Sequence, residues 1–323
     1  MPLLFDLPRE ELDSYLGSTP RPADFDAYWD DALAELAAVE PDAEISPSGY
    51  EVPFATCSHL WFRGTQGARI HARLWQPTSP PGDTPILLMY HGLSGRAPDW
   101  TTPLGYVAAG FTVAALDCRG QGGLSDDAGG VSGYTLRGHI LRGLLDDPAK
   151  AYYRQVFLDT KRMAEVVLGL PGVDATRVGA TGGSQGGGLT LAAAALEPRI
   201  THAAAQFPFL CDYRRVWDLE LAKNAYADIE EWFRKFDPLH EREDEVFEKL
   251  GYIDTAQMAA RIKAEVLMTV GLADRVCPPS TQFAAYNRIT SPKTLREYPD
   301  FGHEGLAENE DAHFQFFLQL TRP

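Results

Sequence analysis

The chain has 323 residues, 45% of them hydrophobic and 23% charged, and a formal net charge of −16 at pH 7. That length and balance suit a globular protein with a sizeable core, built as one large α/β domain or two small ones. The acidity argues against nucleic acid or an anionic membrane as a partner, since both require basic patches. Cys57, Cys118, Cys211 and Cys277 are widely spaced with no CxxC pair, so buried free thiols are expected. No signal-peptide pattern opens the sequence, and the longest apolar run, around Leu189 to Leu196, is too short to cross a bilayer. A soluble cytoplasmic protein is the expectation.

Residues 1–50 are acidic and partly helical in pattern. Asp24 reads as the N-cap of a helix over 25–39, where Phe25, Tyr28, Trp29, Ala32, Leu33 and Leu36 recur at three- and four-residue steps. Pro41 and Ser46-Pro47-Ser48-Gly49 end this N-terminal helical extension. Short strands at 59–63 and 69–75, split by Gly64-Thr65-Gln66-Gly67, carry a hairpin signature. A loop rich in proline and glycine, 77–85, precedes the apolar run PILLMY at 85–90, expected as a buried parallel strand. A short helix closes at 107–110, and 111–117 is the next buried strand. Residues 123–150, rich in glycine and aspartate, are expected to be irregular, and 152–170 has helical spacing. A β-prone run at 177–181 then passes through seven residues dominated by glycine into a small, apolar, helix-like run.

Residues 208–262 break this alternation. They are rich in aromatic and charged residues and read as a helical insertion over the C-terminal strand ends, a lid or an oligomer surface. Strand 265–271, helix 281–289, strand 294–298 and a closing helix at 307–320 complete the chain. The succession predicts an α/β fold with a mostly parallel central sheet and helices on both faces. No linker flanks the insertion, so 1–323 reads as a single domain.

Gly182-Gly183-Ser184-Gln185-Gly186 matches the G-x-S-x-G nucleophile elbow. A sharp strand-to-helix turn holds such a serine in strained geometry, and its neighbours must lack bulk. Alone, the pattern is equally a plain glycine-rich turn. Downstream, however, Asp274 follows the strand at 265–271 and His303 follows the strand at 294–298. The order Ser, Asp, His, each past a strand end, is that of the α/β-hydrolase fold, where all such ends share one edge of the sheet. His303 is then the general base toward Ser184, and Asp274 holds its tautomer. A neutral imidazole is required of His303, so the rate is expected to fall on acidification. The Gln185 amide, at the helix start, faces a developing oxyanion. Asp300 is the rival acid, but its place three residues before His303 assigns it to a turn. Gly120 to Gly123 lacks the Lys-Ser/Thr of a P-loop, His240-Glu241 lacks a second histidine for zinc, and His91 reads as a structural hydrogen-bonding residue.

At these residues the sequence resembles the acetyl xylan esterase and cephalosporin-C deacetylase group, carbohydrate esterase family 7. The matching pieces are Asp24-Phe25-Asp26 with Trp29, Tyr90-His91-Gly92, Asp99-Trp100 and Arg119-Gly120-Gln121-Gly122. The elbow, Gly271-Leu272-Ala273-Asp274, Cys277-Pro278-Pro279-Ser280-Thr281 and Gly302-His303-Glu304 continue the match over nearly the whole chain. Leu93 departs from it, where many members carry a second aromatic. The resemblance implies an α/β-hydrolase fold and a deacetylase acting on small acetylated substrates, with Ser184, Asp274 and His303 as triad. It further implies an oxyanion hole from the backbone amides of Tyr90 and Gln185, no metal or other cofactor for the chemistry, and a ring-like hexamer. A general carboxylesterase or peptidase of the same fold is the second reading, and a non-catalytic hydrolase-fold binding protein the third.

Overall fold

The structure is a computed structural model and describes residues 5–131 and 139–322. In chain order the elements are α1 (Arg9–Leu12), α2 (Phe25–Ala37), β1 (Glu44–Pro47), β2 (Ala55–Arg63), β3 (Arg69–Pro77), β4 (Thr84–Tyr90), α3 (Leu104–Ala108), β5 (Thr112–Leu116), α4 (Tyr152–Leu168) and β6 (Val173–Gly183). They continue with α5 (Gln185–Leu196), β7 (His202–Gln206), α6 (Tyr213–Asp218), α7 (Ala227–Phe236), α8 (Glu243–Leu250), α9 (Thr255–Met258), β8 (Glu265–Gly271), α10 (Pro279–Arg288), β9 (Lys293–Tyr298) and α11 (Asn309–Phe317).

One sheet, in the order β1-β2-β3-β5-β4-β6-β7-β8-β9, runs through the chain. Strands β4 to β9 are mutually parallel, and β1, β2 and β3 form an antiparallel edge. From β4 the chain steps to one side to form β5, then returns past β4 to form β6 on the other side. This reversal opens a crevice at the C-terminal ends of β4 and β6, where open α/β sheets place their ligands.

The alternation of strand side chains divides the core in two. In β4, Ile86, Leu88 and Tyr90 face a core shared with α2, α4, α5, α10 and the segment at 208–262, whereas Leu87 faces α3 and α11. Helices therefore cover both faces of the mostly parallel sheet, as the strand–helix succession implies.

Several local expectations need correction. Residues 44–47 are an edge strand, not part of a helical extension, pairing Glu44 with Trp61 through Pro47 with Ser58. Proline is tolerated there because an edge strand need not donate on both sides. Asp24 does occupy the N-cap position of α2 but makes no capping bond, and its carboxylate accepts the Tyr252 hydroxyl at 2.6 Å. Strand β7 carried no sequence signal, because His202-Ala203-Ala204-Ala205-Gln206 lacks the branched and aromatic residues that favour strands. Its neighbours β6 and β8 impose the extended form through parallel pairing on both sides. Of the irregular stretch at 123–150, residues 132–138 lie outside the described residues.

The segment at 208–262 is helical, comprising α6 to α9, and packs against α5 and α10. Polar contacts tie the N-terminal segment to it. The buried Asp212 carboxylate accepts from Tyr15 Oη at 2.8 Å and from the Ser18 and Thr19 amides at 2.9 and 2.8 Å. Trp29 of α2 stacks on Phe157 of α4 at 5.9 Å and donates from its indole to the Tyr252 carbonyl at 3.0 Å. On α7, Asp228 is fully buried and accepts the Leu141 amide at 3.0 Å.

Burial raises the Asp228 carboxyl from the usual carboxylate range to about 7. A carboxyl raised in the folded state binds more protons there than in the unfolded chain, so stability falls as pH climbs from the ordinary value toward the raised one. Asp228→Asn is therefore expected to flatten the decline in Tm between about pH 4 and pH 7. Melting curves that decline in parallel for variant and parent would refute this.

Candidate active site

Ser184 stands between β6 and α5 with φ 57° and ψ −119°, a region that residues with a side chain rarely adopt. The surrounding glycines make the turn possible. A Cβ on Gly182 would lie 2.5 Å from the Tyr90 carbonyl oxygen, and one on Gly186 would fall inside that carbonyl group. The elbow thus rests directly on the end of β4. The Ser184 amide donates to the Gln206 carbonyl at 3.1 Å, and its own carbonyl accepts from the Gly188 and Phe209 amides at 3.0 Å each.

The loops after β8 and β9 bring Asp274 and His303 to this point. His303 Nε2 is 2.9 Å from Ser184 Oγ, and His303 Nδ1 is 2.8 Å from Asp274 Oδ2. Asp274 is fully buried, and its Oδ1 accepts the Val276 and Cys277 amides at 2.8 and 2.9 Å. A carboxylate so held accepts a hydrogen bond from Nδ1–H, which fixes the tautomer and leaves the Nε2 lone pair for the serine hydroxyl. The imidazole keeps 20% exposure, and the Phe207 ring lies 4.5 Å from its centre. Asp300, the rival acid, is exposed in the turn after β9.

Tyr90 and Gln185 flank the serine from the two sides of the crevice. Tyr90 is the last residue of β4, in register with Gly182, and its phenol turns into the core, where burial raises it well above its ordinary value. Gln185 is the first residue of α5, and its side chain is fully buried. The Gln185 amide pairs reciprocally with that of Gln121, at 2.8 and 3.1 Å, and accepts the Tyr153 hydroxyl at 3.0 Å. Gln121 also accepts the Ser94 amide at 2.8 Å and donates to the Tyr152 hydroxyl at 3.0 Å. Tyr152 in turn donates to the Arg119 carbonyl at 2.6 Å. Behind these groups the Arg119 guanidinium and the Asp159 carboxylate form a buried two-point ion pair, both bonds 2.7 Å.

The Arg119-Gly120-Gln121 stretch, which sequence reasoning left without a role, therefore fastens the loop after β5 and the start of α4 to the elbow. Its glycines serve close loop packing: a Cβ on Gly122 would meet the Ser94 and Gly95 carbonyl oxygens at 2.8 Å. Tyr152, Tyr153 and Asp159 escaped the sequence reading. Asp159 on the apolar face of α4 was the available signal, since a buried acid needs a cation. His91 accepts the Cys118 amide at Nε2, 3.0 Å, and bonds the Gly92 carbonyl through Nδ1, 2.7 Å. With both ring nitrogens engaged and its basicity lowered by burial, it is a structural residue. Ligand atoms of Asp274, Cys277 and His303 lie within 4.8 Å of one another, but Asp274 and His303 are already bonded and burial raises the Cys277 thiol well above its ordinary value.

Removing the Gln121 amide is expected to loosen Gln185 and hence the serine. Gln121→Ala should slow fluorophosphonate labelling of Ser184 by roughly tenfold while the protein stays folded. An unchanged labelling rate in a folded variant would contradict this role.

Comparison with known proteins agrees with the geometry. A family model described as acetyl xylan esterase (AXE1) matches residues 1–320. The chain is 28% identical over 281 residues to acetyl esterase Axe7A of Xylanibacter ruminicola, covering 85% of this chain and 62% of that protein, so it spans about three fifths of that relative's length. Acetyl xylan esterase 1 from Thermoanaerobacterium sp. JW/SL YS485 superimposes with a TM-score of 0.96 at 55% identity, covering 98% of this chain and 99% of that one. The acetyl xylan esterase from Paenibacillus sp. R4 gives 0.92 at 39% identity, covering 96% and 99%. With the elbow, the Ser–His–Asp chain and this match over nearly its whole length, the protein belongs to the acetyl xylan esterase family.

Proposed function

We propose that the protein is a serine esterase that removes acetyl groups from small acetylated substrates, such as acetylated xylo-oligosaccharides or cephalosporin-C-like esters. The observation that carries this is the continuous Ser184–His303–Asp274 chain at 2.9 and 2.8 Å on a strained elbow. Ser184 Oγ attacks the acetyl carbonyl while His303 Nε2 takes its proton. The oxyanion is received by the backbone amides of Tyr90 and Gln185. His303 then protonates the departing alcohol, and Asp274 stabilises the imidazolium. Water, deprotonated by His303, cleaves the acetyl-enzyme to acetate.

The similarity to two acetyl xylan esterase structures and an acetyl esterase supports the acetyl preference over the general carboxylesterase or peptidase reading. Acylaminoacyl peptidases share the fold at 17–20% identity, which speaks for architecture alone. A hexamer, with the segment at 208–262 as subunit interface or lid, is part of the proposal. Phe236 at 50% exposure and Leu239 at 79% put apolar surface on that segment, which favours an interface. Among the described residues no helix is long and apolar enough to cross a membrane, and a cytoplasmic location is part of the proposal.

Ser184→Ala should abolish hydrolysis of p-nitrophenyl acetate, and full activity in that variant would refute the mechanism. Across an acyl series from acetate to octanoate, turnover should fall steeply beyond acetate. Equal turnover of the long esters would replace the deacetylase reading by a general esterase. Light scattering should report a mass six times that of the chain, and a monomer would remove the interface role.

A further inference from the structure

A cavity of about 200 Å³ adjoins the elbow on the face of the sheet covered by α3 and α11. Gly182 and Gly183, which lead into Ser184, form one wall, and Arg96, Tyr106, Glu310 and His313 stand around the rest. None of these four has a part in the triad or the oxyanion hole.

Two of them, Tyr106 and His313, carry polar groups with hydrogen-bonding capacity left over. Tyr106 is only 9% exposed, and its ring is packed by Phe111, Phe314 and Phe317 at centroid distances of 5.9, 5.0 and 6.2 Å. Its hydroxyl has no hydrogen-bond partner among the described residues. His313 is 4% exposed, with Nδ1 and Nε2 each 3.5 Å from a threonine hydroxyl, Thr181 and Thr269 respectively. Both hydroxyls give their protons elsewhere, Thr181 to the Ala204 carbonyl at 3.1 Å and Thr269 to Asn309 Oδ1 at 2.9 Å. Burial lowers His313 to about 4, so the ring is neutral, with one N–H and one lone pair. One threonine oxygen can accept the N–H, but no donor faces the lone pair.

The cavity thus offers an unpaired hydroxyl donor at Tyr106 and a buried acceptor at His313. At the rim, the exposed Arg96 is paired with Asp99 at 3.2 Å, and Glu310 is exposed. An alkyl chain would leave both groups unpaired, and an anion would meet the Glu310 carboxylate. A neutral ring bearing hydroxyls suits both, since each hydroxyl accepts and donates. We propose that this cavity is a subsite for a sugar ring in the alcohol half of the substrate, read by Tyr106 and His313. The proposal rests on the acetylesterase reading, because it takes that ring to belong to the ester held at Ser184.

The test compares acetylated xylobiose with p-nitrophenyl acetate, whose alcohol half is no sugar, in the wild type and Tyr106→Phe. The variant removes one oxygen and keeps the ring packing. KM for acetylated xylobiose should rise roughly three- to tenfold, the loss of one hydrogen bond, while kcat and both constants for p-nitrophenyl acetate stay unchanged. An unchanged KM for the sugar ester, or an equal rise for both esters, overturns the subsite and leaves the esterase reading standing. A wild type that hydrolyses p-nitrophenyl acetate but not acetylated xylobiose overturns the sugar reading and the subsite together. Loss of both activities in Ser184→Ala, run alongside, shows that the measured turnover belongs to this site.

Discussion

The contact on which the site depends is the seating of the Ser184 elbow against the end of β4. Gly182 and Gly186 approach the Tyr90 carbonyl so closely that no side chain fits at either position. The turn is held in a left-handed conformation at Ser184, which an isolated chain would abandon. Strand pairing on both sides of β6, to β4 and to β7, over-determines it. The Ser184 amide is committed to Gln206 at the end of β7. The serine is therefore positioned by three strands at once, and its side chain stays free to face His303.

Around this contact the molecule spends buried polar groups where it could have used apolar ones. The pair Gln121–Gln185, the tyrosines Tyr152 and Tyr153, and the Arg119–Asp159 ion pair form one connected layer between α4 and the elbow. A buried ion pair contributes little net stability, but removing one partner strands the other, a loss on the order of 3–5 kcal/mol. Its value here is geometric, since directional bonds fix the loop after β5 relative to α5 in a way that apolar packing does not. Asp274 follows the same logic, since two backbone amides orient the carboxylate before it meets His303.

Much of this was legible in the sequence, for identifiable reasons. The buried parallel strands β4, β5 and β8 announce themselves as continuous apolar runs, and the elbow announces itself by glycines that sterics require. Ser184, Asp274 and His303 each follow a strand end, so the topology that gathers them could be inferred without their contacts. Strand β7 could not, because three alanines in a row carry no strand preference and only its neighbours make it a strand. Strand β1 lay hidden behind a proline that reads as a helix stop. The polar layer was illegible because its members lie far apart in the chain. Nothing in the sequence of Gln121 indicates that it faces Gln185, sixty-four positions away. The Tyr106 and His313 cavity is likewise a product of packing α3 and α11 against the ends of β4 and β6.

Ser184 is proposed to carry the acetyl group between attack and hydrolysis. Rapid quenching of the enzyme during turnover of an acetyl ester, followed by peptide mapping by mass spectrometry, tests it directly. An acetyl increment is expected on the peptide containing Ser184 and none in Ser184→Ala. Turnover with no such increment, or with the acetyl group on another residue, would contradict it.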